Sequence, residues 1–599
     1  MNRSLIFATL FAASALASAQ TQSSTLQPAE TLVVLGSATP VPLAESPRAV
    51  VLLPVEGKLF SLESPADLLR SDSSAFIEQR GAGGGQADIA LRGGGFNQTL
   101  VLLDGFRIND SQTGHHNLDL PIPLDAMDSI QVLHGAGSTL HGVDALAGVV
   151  DFLTAAPAGD SLLLRAGAGN FGENEQSVLG TLARSRWSTR LTADRNLSTG
   201  FIPDRDYRNE TASSESWLAS RLGITDLLFA ASDRSFGASQ FYGPYPSWER
   251  TKGWFAGARQ EIGPRTTAAF AWRRHTDEFV LVRSNPALYE NNHIDTSWQS
   301  DLRHTLPIHA SALLFGLEAD GDAIDSNNLG RHARNRGAGY VDLDLHPAAA
   351  RWNLSAGARE EIFSGGPDSA FAPHLAASLR VVPALKLRAS GGYGYRIPTY
   401  TDLYYSDPTT IGNPNLKPES AWSGDAGLEW VPAHRLTLTA TGFYTRQHNT
   451  IDYLRASPAD QWHAANLSGL RFAGVEAAMT WLPTRAQSVR LSWTALNGVQ
   501  SALHGLESEY IFNYPVDNLH GAWTIHFPHA LTVTNAVELV QRYQQTVYPV
   551  WNASFSRASG RVRPYLRFAN LSNTGYQEIA GIPMPGRSIT GGLALRFGK

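Results

Sequence analysis

The 599-residue sequence contains no cysteine, and its 48 basic and 54 acidic residues leave a small net charge of −6. The lack of cysteine excludes disulfides, cysteine-ligated zinc or iron–sulfur sites and thiol nucleophiles. The lack of a basic excess argues against a nucleic-acid partner, which would require a positively charged surface. What remains is a long sequence that is rich in glycine and aromatic residues and poor in charge.

Long apolar runs are missing from most of the chain. At the N-terminus, Arg3 precedes the apolar run 5–13, and residues 17–19 (Ala-Ser-Ala) have the small-x-small pattern of a signal-peptidase site. We therefore predict a signal peptide over residues 1–19 and export of the mature chain. The alternative, an N-terminal membrane anchor, requires a longer apolar run. No later run approaches 18 apolar residues, so no transmembrane helix is predicted.

Apolar and polar residues alternate with a period of two through much of the mature sequence, which is typical of half-buried β-strands. The stretches 385–393, 435–442 and 562–568 are examples. A soluble β-sandwich also alternates, but it does not need so many amphipathic strands from about residue 160 onward. An outer-membrane barrel does, because each strand faces lipid on one side and the lumen on the other. The length available fits about 22 strands.

The first 155 residues have a different pattern, which indicates a small mixed α/β domain. Residues 64–70 predict a short helix capped by serine or aspartate. Continuous apolar runs predict strands that are buried on both faces, and glycine clusters separate them. These runs are 89–92, 100–103, 130–133 and 149–154. A domain of this size ahead of a wide barrel is expected to lie inside the lumen.

Several segments resemble TonB-dependent outer-membrane receptors, in the order in which that family has them. The matching stretches are 91–93 (Leu-Arg-Gly), 98–105, 130–154, 412–419 (Gly-Asn-Pro-Asn-Leu-Lys-Pro-Glu), 474–476 (Gly-Val-Glu) and 585–597. The resemblance implies a flexible N-terminal segment with a TonB box (20–45), a plug domain (46–156) and an antiparallel transmembrane β-barrel (157–599). It also implies a monomer without a cofactor, located in the outer membrane of a diderm bacterium. Its partner would be TonB with the inner-membrane complex that energises it.

The resemblance assigns the TonB box to residues near the mature N-terminus. These residues are Glu30, Thr31, Leu32, Val33 and Val34. An extended segment on a flexible leash can add as a strand to the sheet of a partner, with affinity supplied by main-chain hydrogen bonds. The alternative is an ordinary edge strand of the plug.

The resemblance also implies a charge cluster that couples plug and barrel. Arg92 matches the first plug arginine of the family, and Glu476 matches one carboxylate of the barrel wall. The second arginine is replaced by His134 and the second glutamate by Asp425, which puts a full four-charge cluster in doubt. The alternative to a gating role is a purely structural ion pair between Arg92 and Glu476.

Ligand contact is expected at the plug apex and the outer loops. His115 and His116 lie between plug strands, and imidazole is a common ligand of transition metals. Their alternative role is hydrogen bonding within the plug or to barrel loops. Tyr242, Tyr245 and Trp248 could pack on a large planar or macrocyclic ligand, or they could belong to the interfacial aromatic girdle.

No enzyme is predicted, because phosphate-loop, dinucleotide, nucleophile-elbow and zinc-hydrolase motifs are missing. The expected function is TonB-dependent active transport of a scarce metal chelate, either a ferric siderophore or cobalamin. Cobalamin is favoured by the length of the barrel, which is close to that of vitamin B12 receptors. The alternatives are uptake of haem or free metal through the same architecture, or a passive channel or adhesion barrel with a static plug.

Overall fold

A computed structural model of the chain describes residues 32–33, 35–37, 39–83, 85–347, 350–365, 369–499, 503 and 505–598. The predicted signal peptide lies outside the described residues, as do Glu30, Thr31 and Val34 of the predicted TonB box. The described chain forms a small N-terminal domain that is enclosed by a large β-barrel. None of the helices within these described ranges is long and apolar enough to cross a membrane.

The N-terminal domain, called the plug below, is a mixed α/β unit. The strands of the plug and of the segment before it are β1 Leu32–Val33, β2 Val41–Pro42, β3 Val50–Pro54, β4 Ala75–Gln79, β5 Ala87–Leu91, β6 Thr99–Leu103, β7 Phe106–Arg107, β8 Ser129–His134 and β9 Gly148–Leu153. The helices are α1 Pro65–Leu69 and α2 Ser138–His141, with 3₁₀ turns at Leu43–Glu45, Leu59–Ser61, Phe96–Gln98, Gly114–His116 and Leu124–Ala126. The plug is built on a five-stranded sheet of order β3-β8-β9-β6-β7, in which β6 and β9 pair in parallel and the other pairs are antiparallel.

The plug elements confirm the predictions from local sequence pattern. The predicted capped helix is α1, where the Asp67 carboxylate accepts a hydrogen bond from the Ser64 backbone N–H at 3.0 Å. Three of the four predicted apolar runs form β6, β8 and β9, and every residue of β6 and β8 is buried. The fourth run, 89–92, overlaps β5, which pairs with β4 in a separate two-stranded sheet. Strands β6 and β8 are buried on both faces because their sheet is covered on both sides.

The barrel has 22 antiparallel strands, the number expected from its length, and it closes by pairing its first strand with its last, Ser161 opposite Gly598. Its strands are β10 Ser161–Gly169, β11 Asn174–Ala183, β12 Trp187–Ser198, β13 Tyr207–Ala219, β14 Ile224–Gly237, β15 Trp248–Ile262, β16 Thr266–Val280, β17 Glu290–Ile308, β18 Ser311–Ser326, β19 Gly330–Leu345, β20 Trp352–Phe363, β21 Ser369–Val382, β22 Leu385–Arg396, β24 Glu419–Ala433, β25 Leu436–His448, β28 Leu470–Thr484, β29 Gln487–Val499, β31 Pro515–Phe527, β32 Leu531–Arg542, β33 Tyr548–Arg557, β34 Val562–Ala569 and β35 Ser588–Gly598.

Connections at one end of the barrel are short turns, whereas those at the other end are long loops such as 238–247 and 397–418. Outer-membrane barrels have short periplasmic turns and longer extracellular loops, so the loop end is the outer end. The loops carry a four-stranded sheet made of β23 Thr410–Ile411, β26 Thr450–Arg455, β27 Trp462–Leu467 and β30 Glu507–Ser508. They also carry the helix α3 Tyr400–Tyr404 and the 3₁₀ turn Pro286–Leu288, and a further 3₁₀ turn, Pro528–Ala530, lies at the short-turn end.

The outer surface of the barrel is apolar, as a lipid-facing surface requires. Along β21, Phe371 and Leu375 are each 56% exposed, whereas the intervening Ala372 and His374 are buried against the lumen side. This alternation repeats the period of two found in the sequence.

Replacing Leu375 with arginine is expected to destabilise the folded barrel by about 2–4 kcal/mol, because Leu375 lies midway along β21 and a charge near the bilayer midplane loses its hydration. The free energy of unfolding would be measured by denaturant titration of the protein in lipid vesicles. Val382→Arg is the matched control: Val382 is also exposed but ends the strand, so a cost of only ~0–1 kcal/mol is expected. Equal costs at both positions would contradict a lipid-facing surface.

Candidate functional site

A cavity of about 1480 Å³ opens among the long loops, and we call it the vestibule. Its floor is formed by the plug turns Phe96–Gln98 and Gly114–His116, and its walls by barrel strands and loops. Polar and aromatic side chains from plug and barrel therefore meet in one chamber at the outer end. This is a common arrangement for a ligand site: a concave surface with a few convergent polar groups.

Two of the three predicted aromatic contacts, Tyr242 and Tyr245, line the vestibule, whereas Trp248 begins β15 and lies outside the lining. The Tyr242 hydroxyl lies 2.6 Å from Gln86 Oε1 of the plug and 3.2 Å from Glu249 Oε2 of the barrel. Tyr242 thus ties the loop 238–247 to the plug apex. Tyr245 is 37% exposed, so its ring is accessible from the vestibule.

The two adjacent histidines point to different partners. His115 Nδ1 lies 3.0 Å from Asp88 Oδ1, and its ring stacks on Phe96 with centroids 4.3 Å apart. Asp88 also forms an ion pair with Arg80 at 2.7 Å. Burial raises the pKa of Asp88, but Arg80 and His115 outweigh this effect and lower the pKa of Asp88 to about 2. Burial lowers the pKa of His115 itself, against the opposing effect of Asp88. His115 therefore has the hydrogen-bonding environment within the plug that its alternative role requires.

His116 instead faces the barrel wall. Its Nε2 atom lies 3.5 Å from Asp277 Oδ2 and 3.7 Å from Glu249 Oε1, and its Nδ1 atom lies 3.6 Å from Asp119 Oδ2. His275 of β16 is next to this group, and the centroids of the His116 and His275 rings are 5.0 Å apart. The structure therefore separates the pair: His116 belongs to a cluster of imidazoles and carboxylates on the vestibule floor, and His115 does not.

The barrel members of this cluster were not predicted from the sequence. Glu249 lies near the start of β15, and His275 and Asp277 lie two residues apart near the end of β16, so the latter two point to the same side of the sheet. The spacing of His275 and Asp277, two residues apart in the region of predicted barrel strands, was the signal in the sequence that could have identified them as neighbours. The sequence alone did not indicate that this side faces the plug turn that carries His116.

Arg92 lies at the centre of the contact between plug and barrel. Its guanidinium binds Glu476 through two bonds of 2.7 Å and Asp425 through one of 3.1 Å. Arg92 and Gly93 both have positive φ, 49° and 81°, and this turn directs the arginine to the wall. A side chain on Gly93 would place its Cβ 2.8 Å from Phe472 Cδ1 of the barrel, which explains why glycine follows the arginine.

The second cation of this cluster comes from the barrel. Arg388 Nη1 lies 3.0 Å from Asp425 Oδ1, so two arginines face two carboxylates. His134, which replaces the second plug arginine, binds Asp72 of the plug at 2.8 Å instead. Although burial raises the pKa of Asp72, His134 outweighs burial and lowers it. The four-charge cluster is therefore complete, but Arg388 supplies the charge that was expected from position 134.

The N-terminal segment lies at the short-turn end of the barrel. Lys386 Nζ lies 2.9 Å from the carbonyl oxygen of Ala44, and Asn353 Nδ2 lies 3.0 Å from the carbonyl oxygen of Glu45. Leu32 and Val33 form a two-residue antiparallel pair with Val41–Pro42, and Val33 is buried. The described part of the predicted TonB box is thus held by a very short strand pair, at the end of the barrel opposite the vestibule.

Comparisons with known proteins agree with this architecture. The family model "TonB dependent receptor-like, beta-barrel" matches residues 160–591, and "TonB-dependent Receptor Plug Domain" matches residues 57–149. A vitamin B12 transporter, BtuB, of Vibrio vulnificus (strain YJ016) is 25% identical over 455 residues, which is 71% of each chain. An iron-regulated outer membrane virulence protein of Vibrio cholerae is 24% identical over 559 residues, 82% of this chain and 81% of the relative.

Solved structures share the fold at low identity. The siderophore receptor PirA from Pseudomonas aeruginosa has a TM-score of 0.72 at 16% identity, over 92% of this chain and 99% of that one. The copper transporter OprC has a TM-score of 0.77 at 14% identity, over 92% and 98% of the two chains. At this level of identity, the likeness concerns the fold alone.

Proposed function

This chain belongs to the family of TonB-dependent outer-membrane receptors, and on that premise we propose that it actively transports a scarce metal-containing ligand into the periplasm. The ligand class we propose is a metal chelate such as a ferric siderophore or cobalamin. Binding takes place in the vestibule, and TonB pulls on the plug through residues 30–34. The functional units would be the N-terminal segment 20–45, the plug 46–156 and the barrel 157–599.

The observation that carries this proposal is the placement of two sites at opposite ends of one plug. The vestibule, with Tyr242 and Tyr245, lies at the outer end, and the Leu32–Val33 pair lies at the short-turn end. A ligand bound outside and a partner pulling inside would both act on the plug. The vitamin B12 transporter of Vibrio vulnificus, which is similar in sequence over 71% of this chain, supports the ligand class.

The contact between plug and barrel supports movement that is restrained but reversible. Arg92, Asp425, Glu476 and Arg388 are joined by hydrogen bonds and ion pairs. Unlike an apolar contact of the same area, such a contact can exchange its partners for water when force is applied, because every polar group can be hydrated. We propose that this cluster holds the plug in place until TonB acts.

The proposal is tested by measuring whether uptake depends on an energised inner membrane. Cells that carry this protein as their only receptor would be given radiolabelled ferric siderophores, cobalamin and haem, each with and without an uncoupler. For the true ligand, accumulation should fall to background with the uncoupler, while binding to the cell surface is retained. Accumulation that the uncoupler leaves unchanged would indicate a passive channel with a static plug and would contradict the proposal.

A further inference from the structure

We propose that the vestibule floor contains a binding site for a divalent transition-metal ion, made by His116 of the plug with Glu249 and Asp277 of the barrel. The inference rests on the proposed transport function and adds a free divalent ion to the metal chelate as a ligand of the same vestibule. Protein side chains would bind the metal ion itself, rather than a chelator that surrounds it.

The geometry of the three side chains is that of a ligand set. One ligand atom from each residue, a histidine nitrogen or a carboxylate oxygen, lies within 4.8 Å of the other two. His116 Nε2 is 3.5 Å from Asp277 Oδ2 and 3.7 Å from Glu249 Oε1, distances longer than good hydrogen bonds. Ligands bound tetrahedrally at 2.0–2.2 Å from a zinc ion lie ~3.3–3.6 Å from one another. The spacing therefore fits a shared metal ion better than direct hydrogen bonds.

The balance of charge also favours a divalent cation. Glu249 and Asp277 are both buried, and within the described part of the chain neither has a lysine or arginine at ion-pair distance. Burying carboxylates without countercharge is costly. A divalent ion would supply countercharge for both carboxylates at once.

One buried oxygen is a second, independent observation in favour of a ligand site. Asp277 is 5% exposed, and its Oδ1 atom has no hydrogen-bond partner among the described residues, while its Oδ2 atom accepts a bond from Gln112 Nε2 at 2.8 Å. Glu249 Oε2 lies 3.2 Å from the Tyr242 hydroxyl. The carboxylates are thus oriented by second partners, as metal-binding carboxylates commonly are.

The ligand types indicate which ions fit. The site offers one imidazole and two carboxylates, a set that suits Zn²⁺ and similar divalent ions, whereas Cu⁺ prefers thiolate and thioether sulfur. The chain has no cysteine. All three residues line the vestibule, so an ion can reach them from the outside.

Zinc binding by the purified full-length receptor tests the inference. Protein stripped with a chelator would be dialysed against Zn²⁺, and bound metal would be counted by mass spectrometry. We expect one tightly bound ion per chain, and we expect Asp277→Asn and His116→Ala each to weaken binding ~100-fold or more, because each removes a charge or a ligand. Bound Co²⁺ should show the visible absorption of a low-coordinate site, and that absorption should disappear in both variants.

His115→Ala is the matched control, because His115 is adjacent in sequence but is held by Asp88 and Phe96. It should keep the zinc affinity of the unmodified protein. The thermal unfolding of each variant would show that loss of binding is not loss of folding. Failure of the receptor to bind Zn²⁺, or equal loss in all three variants, would overturn the inference. Energy-dependent uptake of a chelate by a receptor without zinc affinity would leave the proposed transport function standing.

Discussion

Replacing Val33 with proline is expected to reduce uptake to the level of uncoupled cells while ligand binding in the vestibule is unchanged. Proline has no backbone N–H and disrupts the ladder of hydrogen bonds that a strand makes with a partner sheet. The vestibule lies at the opposite end of the barrel, so the ligand site should be unaffected. Uptake of the identified ligand by whole cells and its binding to isolated outer membranes would be measured on the same variant.

The strand that pairs with the box provides the control. Val33 lies opposite Val41 within the chain, so Val41→Pro also disrupts the internal pair but leaves residues 30–34 able to join a partner. That variant should retain uptake. If Val41→Pro loses uptake as fully as Val33→Pro does, uptake requires the internal strand pair rather than a strand added to TonB. If Val33→Pro transports normally, residues 30–34 are not the coupling segment.

The architecture could be predicted from the sequence because its signals are local. Alternation with a period of two marks each barrel strand over about ten residues, and short apolar runs between glycines mark the plug sheet. The capped helix at Pro65–Leu69 needs only the spacing of Ser64 and Asp67. Each of these patterns is complete within a few residues, so none depends on the arrangement of distant strands.

The site could be predicted only in part, because its contacts join residues that are far apart in the sequence. Arg92 and Glu476 were paired from the family pattern, although 384 positions separate them. Arg388 could not be recognised as the second cation, because any lumen-facing arginine of the barrel was a candidate. The neighbours His115 and His116 look equivalent in the sequence, and only the positions of Asp88 and Asp277 distinguish them.

Replacing Arg92 with methionine should lower the stability of the plug inside the barrel by about 3–5 kcal/mol, because the buried Asp425 and the half-buried Glu476 would have only Arg388 to balance them. Methionine keeps most of the apolar stem and loses the guanidinium, whose Cζ atom lies 4.8 Å from the centroid of the Phe443 ring, so the change reports the loss of the charge and of its contacts. Since the chain has no cysteine, a fluorophore on the exposed plug position Asp128→Cys can follow plug unfolding in urea.

The double variant Arg92→Met/Glu476→Met separates the effect of unbalanced charge from lost packing. It leaves Arg388 paired with Asp425, so one cation again faces one anion, and much of the stability should return because no carboxylate is left without a partner. If the double variant is destabilised by as much as the sum of the two single variants, the charges act independently.

Uptake by the double variant then distinguishes a structural ion pair from a gate. A structural ion pair predicts normal transport once stability is restored. A gate predicts a plug that moves without restraint and admits solutes in uncoupled cells.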